Sequence, residues 1–434
     1  MAYIITSIEE ALGYNVKDIQ IDEYWNLGDS IEPKIHSIHS YPAKFPAFIA
    51  TKAISYAKNH GIYINKIADV FCGCGTVALE AKNNNFEFWG CDINPIATLI
   101  AKVKSSNYNS LLLESYYKNI LSSYHNLNKN TMQYKSANQR LRYWFDEEHF
   151  LDLKRLLNAI QITPNGKYRQ AFNCIFSSIL KPTSKWLTKS IKPQIDQEKC
   201  PIDVETAFKN QFNLFLKAIN DNDNIYEPKM KIETVNFLTK RVLPTVSLII
   251  TSPPYVTSYE YADLHQLSSL WLGYTDDYRD LRNGTIGSIH NHEQYYFEVM
   301  ELNNTAAAII EQMRQQKISN SKVKSVARYY IDIQRATQRC YHMLEDNGIA
   351  FFIIGDTEYK GVKIENSRHL VESLIMSGFS EISLCKRRIS KKLLTPYRDE
   401  KGKFTNDKTK RSVYHEEFVV MGFKNKNTEE RDVS

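Results

Sequence analysis

The chain has 434 residues, 55 basic against 49 acidic, with seven scattered cysteines and 43% hydrophobic residues. That length suits one large α/β domain with a smaller addition, and the apolar content is ordinary for a globular protein. No apolar stretch approaches the ~20 residues needed to span a bilayer, and the start Met-Ala-Tyr-Ile-Ile lacks the basic and long apolar regions of a signal peptide. The odd cysteine count suits reduced thiols, so a cytoplasmic location without membrane contact is expected, while the mild positive balance permits nucleic-acid binding without demonstrating it.

In chain order, residues 7–13 read as a short helix. The segment His-Ser-Ile-His-Ser-Tyr-Pro-Ala-Lys-Phe-Pro at 36–46 precedes helical spacing from Ala47 to His60, stopped by Gly61. His36 and His39 lie three apart without a third ligand, which favours hydrogen bonding over metal binding. Residues 64–76 predict a strand running into a glycine turn, with Val77-Ala78-Leu79 opening a helix. Gly73 and Gly75 allow close backbone approach to a ligand, and the helix start offers free N–H groups. Cys72 and Cys74 sit in this turn without a matching ligand cluster, so no metal is expected there. A second strand, Phe86 to Asp92, ends in an acid placed to accept from two ribose hydroxyls, completing a mononucleotide-binding unit.

Asn94-Pro95 opens a helix to Val103, with proline in its first turn. About 140 residues then separate this unit from the next strong strand, too many for a loop inside a compact domain. Helical signals at 110–124, 146–160 and 168–179 mark residues 105–240 as a mainly helical insertion, with a third strand near Lys231–Val235. The run Val246 to Ile250 leaves its strand through Thr-Ser-Pro-Pro-Tyr at 251–255. The two prolines fix φ and remove donors, so a stiff, acceptor-rich edge stands at the carboxyl end of a strand, with Tyr255 closing it. Such an edge suits an exocyclic amino group on a flat, stacked ring. Helical spacing returns from Tyr261 to Leu272, a polar segment spans 274–320, and a long helix is expected at 321–346, ended by Asn347-Gly348. The apolar runs 348–354, 380–385 and 417–423 predict strands, the last two as an antiparallel pair. Between them lies a basic stretch, Lys386, Arg387, Arg388, Lys391, Lys392 and Arg398, expected in a hairpin; it suits a solvated surface and phosphate contact about equally.

Three of these motifs together resemble the S-adenosylmethionine-dependent amino-group DNA methyltransferases. Asp-Val-Phe-Cys-Gly-Cys-Gly-Thr at 69–76 is similar to their cofactor motif, Ser-Pro-Pro-Tyr at 252–255 to their catalytic motif, and 36–46 to the segment that covers the cofactor's methionine part. The likeness spans the amino-terminal third and resumes over about 245–425. It implies a Rossmann-like methyltransferase sheet, α/β and mostly parallel with an antiparallel last strand, carrying the helical insertion. The expected organisation is a cofactor half at 1–104, the insertion at 105–240 as target-recognition region, and a catalytic half at 241–434.

The resemblance also implies roles. S-adenosylmethionine is the expected cofactor, contacted by Tyr41, Lys44, Phe45, Pro46, Asp69, Phe71, Cys72, Gly73, Gly75, Thr76, Asp92 and Ile93, with Lys44 paired to its carboxylate. Ser252, Pro253, Pro254 and Tyr255 are the expected catalytic set. Serine at the head of the motif is usual in cytosine-N4 enzymes of restriction-modification type, so double-stranded DNA and a cognate restriction endonuclease are the implied partners. Adenine-N6 methylation, RNA as substrate, and a catalytically silent nucleic-acid-binding protein are the alternatives. No Pro-Cys pair of the cytosine-C5 type occurs.

Overall fold

A computed structural model describes residues 2–42, 44–128, 133–222, 226–256, 260–288, 301–389, 397–398, 407, 411–412 and 416–425. Its strands in chain order are β1 (Tyr3–Ile5), β2 (Lys66–Asp69), β3 (Glu87–Asp92), β4 (Met230–Thr234), β5 (Val246–Thr251) and β6 (Leu344–Ile354). They continue with β7 (Thr357–Tyr359), β8 (Val362–Ile364), β9 (Glu381–Arg388), β10 (Tyr397–Arg398), β11 (Arg411–Ser412) and β12 (Glu416–Phe423). Eight of them form one sheet in the order β1-β9-β12-β6-β5-β2-β3-β4. The stretch from β4 to β6 is parallel, whereas β12 runs antiparallel to both β6 and β9. The sheet is therefore the mostly parallel α/β type expected from the sequence, with β1 added antiparallel at the β9 edge.

Every residue of β5 is buried, as its unbroken apolar run requires of a central parallel strand. One face of the sheet packs Ala68, Ile249 and Ala350 against helices Asn304–Gln315, Asn320–Met343 and Asn366–Met376. The other packs Ile67, Leu248 and Phe351 against helices Ala47–Asn59 and Thr76–Asn83. A third core unites helices Ser110–Asn126, Glu147–Ile160, Lys167–Ile179 and Val204–Asn220 with Pro95–Ser105 and Gln266–Trp271. The inserted helices are thus welded to the sheet's own flanking helix, and the strand expected near Lys231–Val235 is β4, at the sheet edge.

Two expectations are corrected. The long helix ends at Met343, and Asn347-Gly348 lies inside β6 instead of capping the helix; Asn347 has φ +62°, and the β5–β6 register shifts beside it. Lys386, Arg387 and Arg388 belong to β9, paired residue by residue with β12, so they form sheet and not the tip of a hairpin. Among the described residues no helix is long and apolar enough to cross a membrane.

Candidate functional site

The chain leaves β2 toward β3 on one side, while β5 pairs with β2 on the other, so the strand order reverses between β2 and β5. Ligands of open α/β sheets lie at such a switch point, beyond the carboxyl ends of the strands. There a cleft of about 1870 Å³ opens, and it joins the glycine turn, the 36–46 segment and the Ser-Pro-Pro-Tyr turn.

The glycine turn is shaped by backbone. Gly73 and Gly75 have φ of +48° and +76°, and a Cβ on Gly75 would lie 2.5 Å from the Cβ of Ala101, so only glycine lets helix Pro95–Ser105 pack this closely. A Cβ on Gly73 would meet the Tyr41 ring at 3.6 Å. Asp92 ends β3 with one oxygen accepting the Gly73 N–H at 2.9 Å and the other accepting the Asn94 N–H at 2.8 Å. Burial pushes its carboxyl up to about 6 against the pull of those backbone bonds. Asp69, deeper in, accepts from the Thr251 hydroxyl at 2.7 Å and the Phe71 N–H at 3.1 Å, and burial carries it to about 7. The Asp69–Thr251 bond ties the ends of β2 and β5 together, one residue before Ser252. Thr76 Oγ1 is buried with no partner among the described residues, and helix Thr76–Asn83 has no side-chain cap.

Over this turn lies the 36–46 segment. Tyr41 stacks with His265 at 5.2 Å and Tyr261 at 6.1 Å. His36 Nε2 lies 3.0 Å from Glu80, and His39 uses both ring nitrogens, at 2.8 Å each, on the Ser40 carbonyl and Ser177 hydroxyl. Burial lowers the pKa of both, His39 to about 4, so these are neutral hydrogen-bonding imidazoles at pH 7. Lys44 reaches Glu32 at 2.6 Å and the His36 carbonyl at 3.2 Å, so a carboxylate of the chain itself occupies the partner position foreseen for the cofactor. Phe45, Pro46, Phe71, Cys72 and Ile93 all line the cleft. The sequence did not flag Asn236 and Gly284: a Cβ on Gly284 would lie 2.8 Å from Ile93 Cδ1, and Asn236 donates to the Gly284 carbonyl at 3.1 Å. The polar segment after 274 thereby closes the Ile93 side.

Across the cleft, Ser252 Oγ donates to the Ile353 carbonyl of β6 at 3.0 Å, which commits its hydrogen and leaves its lone pairs as acceptors. Pro253, Pro254 and Tyr255 line the same wall. The Tyr255 hydroxyl donates to Glu417 at 2.9 Å, and Glu417 pairs with Arg387 at 2.5 Å. Arg387 is only 2% exposed and faces the cleft, a place different from the surface expected of it. Lys386 lies 3.7 Å from Glu416, while exposed Arg388 sits 3.4 Å from Glu23. Lys391 and Lys392 lie outside the described residues, as does the side chain of Arg398.

No family model matches the chain. The type II methyltransferase M.MvaI of Kocuria varians is 23% identical over 376 residues, covering 78% of this chain and 80% of the relative. The type II methyltransferases M.AvaI of Nostoc sp. and of Anabaena variabilis are each 22% identical over 358 residues, covering 73% of this chain and 72% of the relative. Low in identity but extended over most of both chains, these similarities support a methyltransferase family for this protein.

Proposed function

We propose that the protein is a site-specific DNA methyltransferase that transfers a methyl group from S-adenosylmethionine to N4 of a flipped cytosine, as one half of a restriction-modification pair. The observation that carries this reading is the meeting, in one cleft, of an acceptor edge at Ser252-Pro253 with a glycine turn and terminal acid at 73–92. The type II relatives support DNA as the substrate class, and the serine at position 252 supports cytosine.

The residues present fit the cofactor. Each Asp92 oxygen already takes one backbone N–H and retains a lone pair for a ribose hydroxyl. The uncapped start of helix Thr76–Asn83, the orphaned Thr76 hydroxyl and the backbone of 71–75 are polar partners for the methionine part, with Tyr41 and Pro46 covering it. When bound, S-adenosylmethionine supplies an electrophilic methyl on its sulfonium.

The chain's own work lies with the base. The cytosine amino group is a poor nucleophile because its lone pair is delocalised into the ring. Ser252 Oγ and the Pro253 carbonyl accept its hydrogens, oppose that delocalisation and aim the lone pair at the methyl. Tyr255 supplies the stacking face for a base that must leave the duplex to be reached. Methyl transfer from the bound cofactor would leave a surplus proton on that nitrogen, which these residues, lacking a base of their own there, would release to solvent. No covalent enzyme intermediate is required. Target choice falls to the helical insertion, whose Ile191 and Lys192 line the cleft.

Purified protein, S-adenosylmethionine and unmethylated duplex DNA, followed by nucleoside digestion and mass spectrometry, test the reading. N4-methylcytosine is expected. N6-methyladenine would overturn the base assignment, and no modified nucleoside across diverse DNA would overturn the substrate class.

A further inference from the structure

Behind the Ser-Pro-Pro-Tyr turn, two strands supply an ion pair, buried at its Arg387 end, that the chemistry above does not use. Arg387 of β9 and Glu417 of β12 are direct cross-strand partners. One guanidinium nitrogen meets Glu417 Oε2 at 2.5 Å, another donates to the Arg388 carbonyl at 3.3 Å, and the group lies 5.6 Å over the Phe48 ring. Glu417 Oε1, the remaining oxygen, accepts the Tyr255 hydroxyl at 2.9 Å. Arg387 Nε is buried with no partner among the described residues. A buried pair of this kind is weak as a source of stability, because desolvating two charges offsets much of their attraction. Its geometry has another use: it grips Tyr255 at the end of the ring farthest from the backbone.

We propose that Glu417, held in place by Arg387, is a positioning residue that fixes where the Tyr255 ring stands as the stacking face of the target-base pocket. This rests on the base pocket proposed above. A tyrosine attached only through Cβ can swing about χ1, whereas one also held at its hydroxyl by a charge-assisted bond is stopped from swinging, and the preference of the phenolic O–H for the ring plane biases that plane as well. The ring is then set before the base arrives, and stacking selects the geometry in which the amino group reaches Ser252. Phe48 stands two residues after Pro46, so the same pair abuts the segment that covers the cofactor.

The test uses two readouts on the full-length protein. Fluorine NMR of 3-fluorotyrosine placed at 255 reports the ring directly, and kcat alongside S-adenosylmethionine affinity reports its use. Glu417→Ala is expected to move the fluorine line toward the free-tyrosine position and to lower kcat about tenfold, with cofactor affinity changed less than about twofold. In a Tyr255→Phe background the same replacement is expected to cost less than about twofold, because the bond it removes is already gone. Glu417→Ala alone strands a buried guanidinium, so Arg387→Met/Glu417→Leu removes anchor and charges together and is expected to give the same line shift. An unmoved fluorine line, or an undiminished loss in the Tyr255→Phe background, overturns the proposal. A shifted line in a protein whose wild type methylates no DNA keeps the anchored ring and removes the proposed substrate instead.

Discussion

The two halves of the cleft are built in different ways. The half proposed for the cofactor comes from two nearby stretches, 36–46 and 69–93, and backbone does most of its shaping: two left-handed glycines, an uncapped helix start and a carboxylate that grips two N–H groups. The base half is assembled from side chains on separate strands, with Ser252 and Tyr255 after β5, the Ile353 carbonyl on β6, Arg387 on β9 and Glu417 on β12. A backbone packed as tightly as Gly75 against Ala101 leaves no room for a side chain, while a side-chain site can lose one contact and keep its shape. Replacements in the first half should therefore strike folding and cofactor binding, and those in the second should strike turnover.

The sharpest way to break that comparison is Gly75→Ala. The new methyl would collide with Ala101 at a left-handed backbone position, and overpacking with the φ penalty is expected to cost about 2–4 kcal/mol. Urea unfolding measures it, and a variant as stable as wild type would show the turn to be softer than its geometry implies.

Acidity should separate the halves next. In its proposed role Asp92 must be ionised to serve the ribose fully, and its folded pKa stands at about 6, so cofactor affinity is expected to fall as pH drops through 6. Stability should move the opposite way. The carboxyls of Asp92 and Asp69 are raised from 3.8 to about 6 and about 7, so their contribution is fully present below pH ~4 and lost as pH rises through 6–7. Titrating cofactor affinity in Asp92→Asn should remove the inflection near 6, while any residual slope near 7 belongs to Asp69.

Two smaller effects complete the series. Tyr255→Phe keeps the ring face and loses only its anchor, so kcat is expected to fall about tenfold or less with cofactor affinity unchanged. Arg388→Gln removes an exposed charge paired loosely with Glu23, and is expected to change stability by under ~0.5 kcal/mol. Its effect on DNA affinity, measured across salt concentrations, should be equal for all sequences and reduce the salt slope by about one unit.

The contrast also explains what the sequence could show. The glycine turn, Asp92 and the Ser-Pro-Pro-Tyr turn are local in sequence, and each was readable as a strand end with a ligand-facing loop. Glu417 and Arg387 were not, because their roles arise only when β9 and β12 pair; Arg387 resembled its basic neighbours until the sheet buried it. Asn347-Gly348 imitated a helix stop because the φ > 0 that ends helices also serves a bulged strand. Helix Asn366–Met376 went unread because its buried face mixes Leu370, Val371 and Leu374 with Ser367, His369 and Glu372, whose carboxylate accepts from Asn304 and Thr305; Val204–Asn220, by contrast, carries a regular apolar face in Ala207, Phe208, Phe212 and Phe215 that its spacing does show.

The most direct test of two separable halves is to titrate S-adenosylmethionine calorimetrically into wild type, Asp92→Ala and Tyr255→Ala, and to measure kcat for each on the same DNA. Loss of a charged acceptor costs ~1.5–3 kcal/mol, so Asp92→Ala should bind the cofactor at least about tenfold more weakly. Tyr255→Ala should bind it within about twofold of wild type while turnover falls by ~1–3 kcal/mol of lost stacking. Wild-type affinity in a folded Asp92→Ala, or a Tyr255→Ala whose defect lies in cofactor binding, would contradict the account.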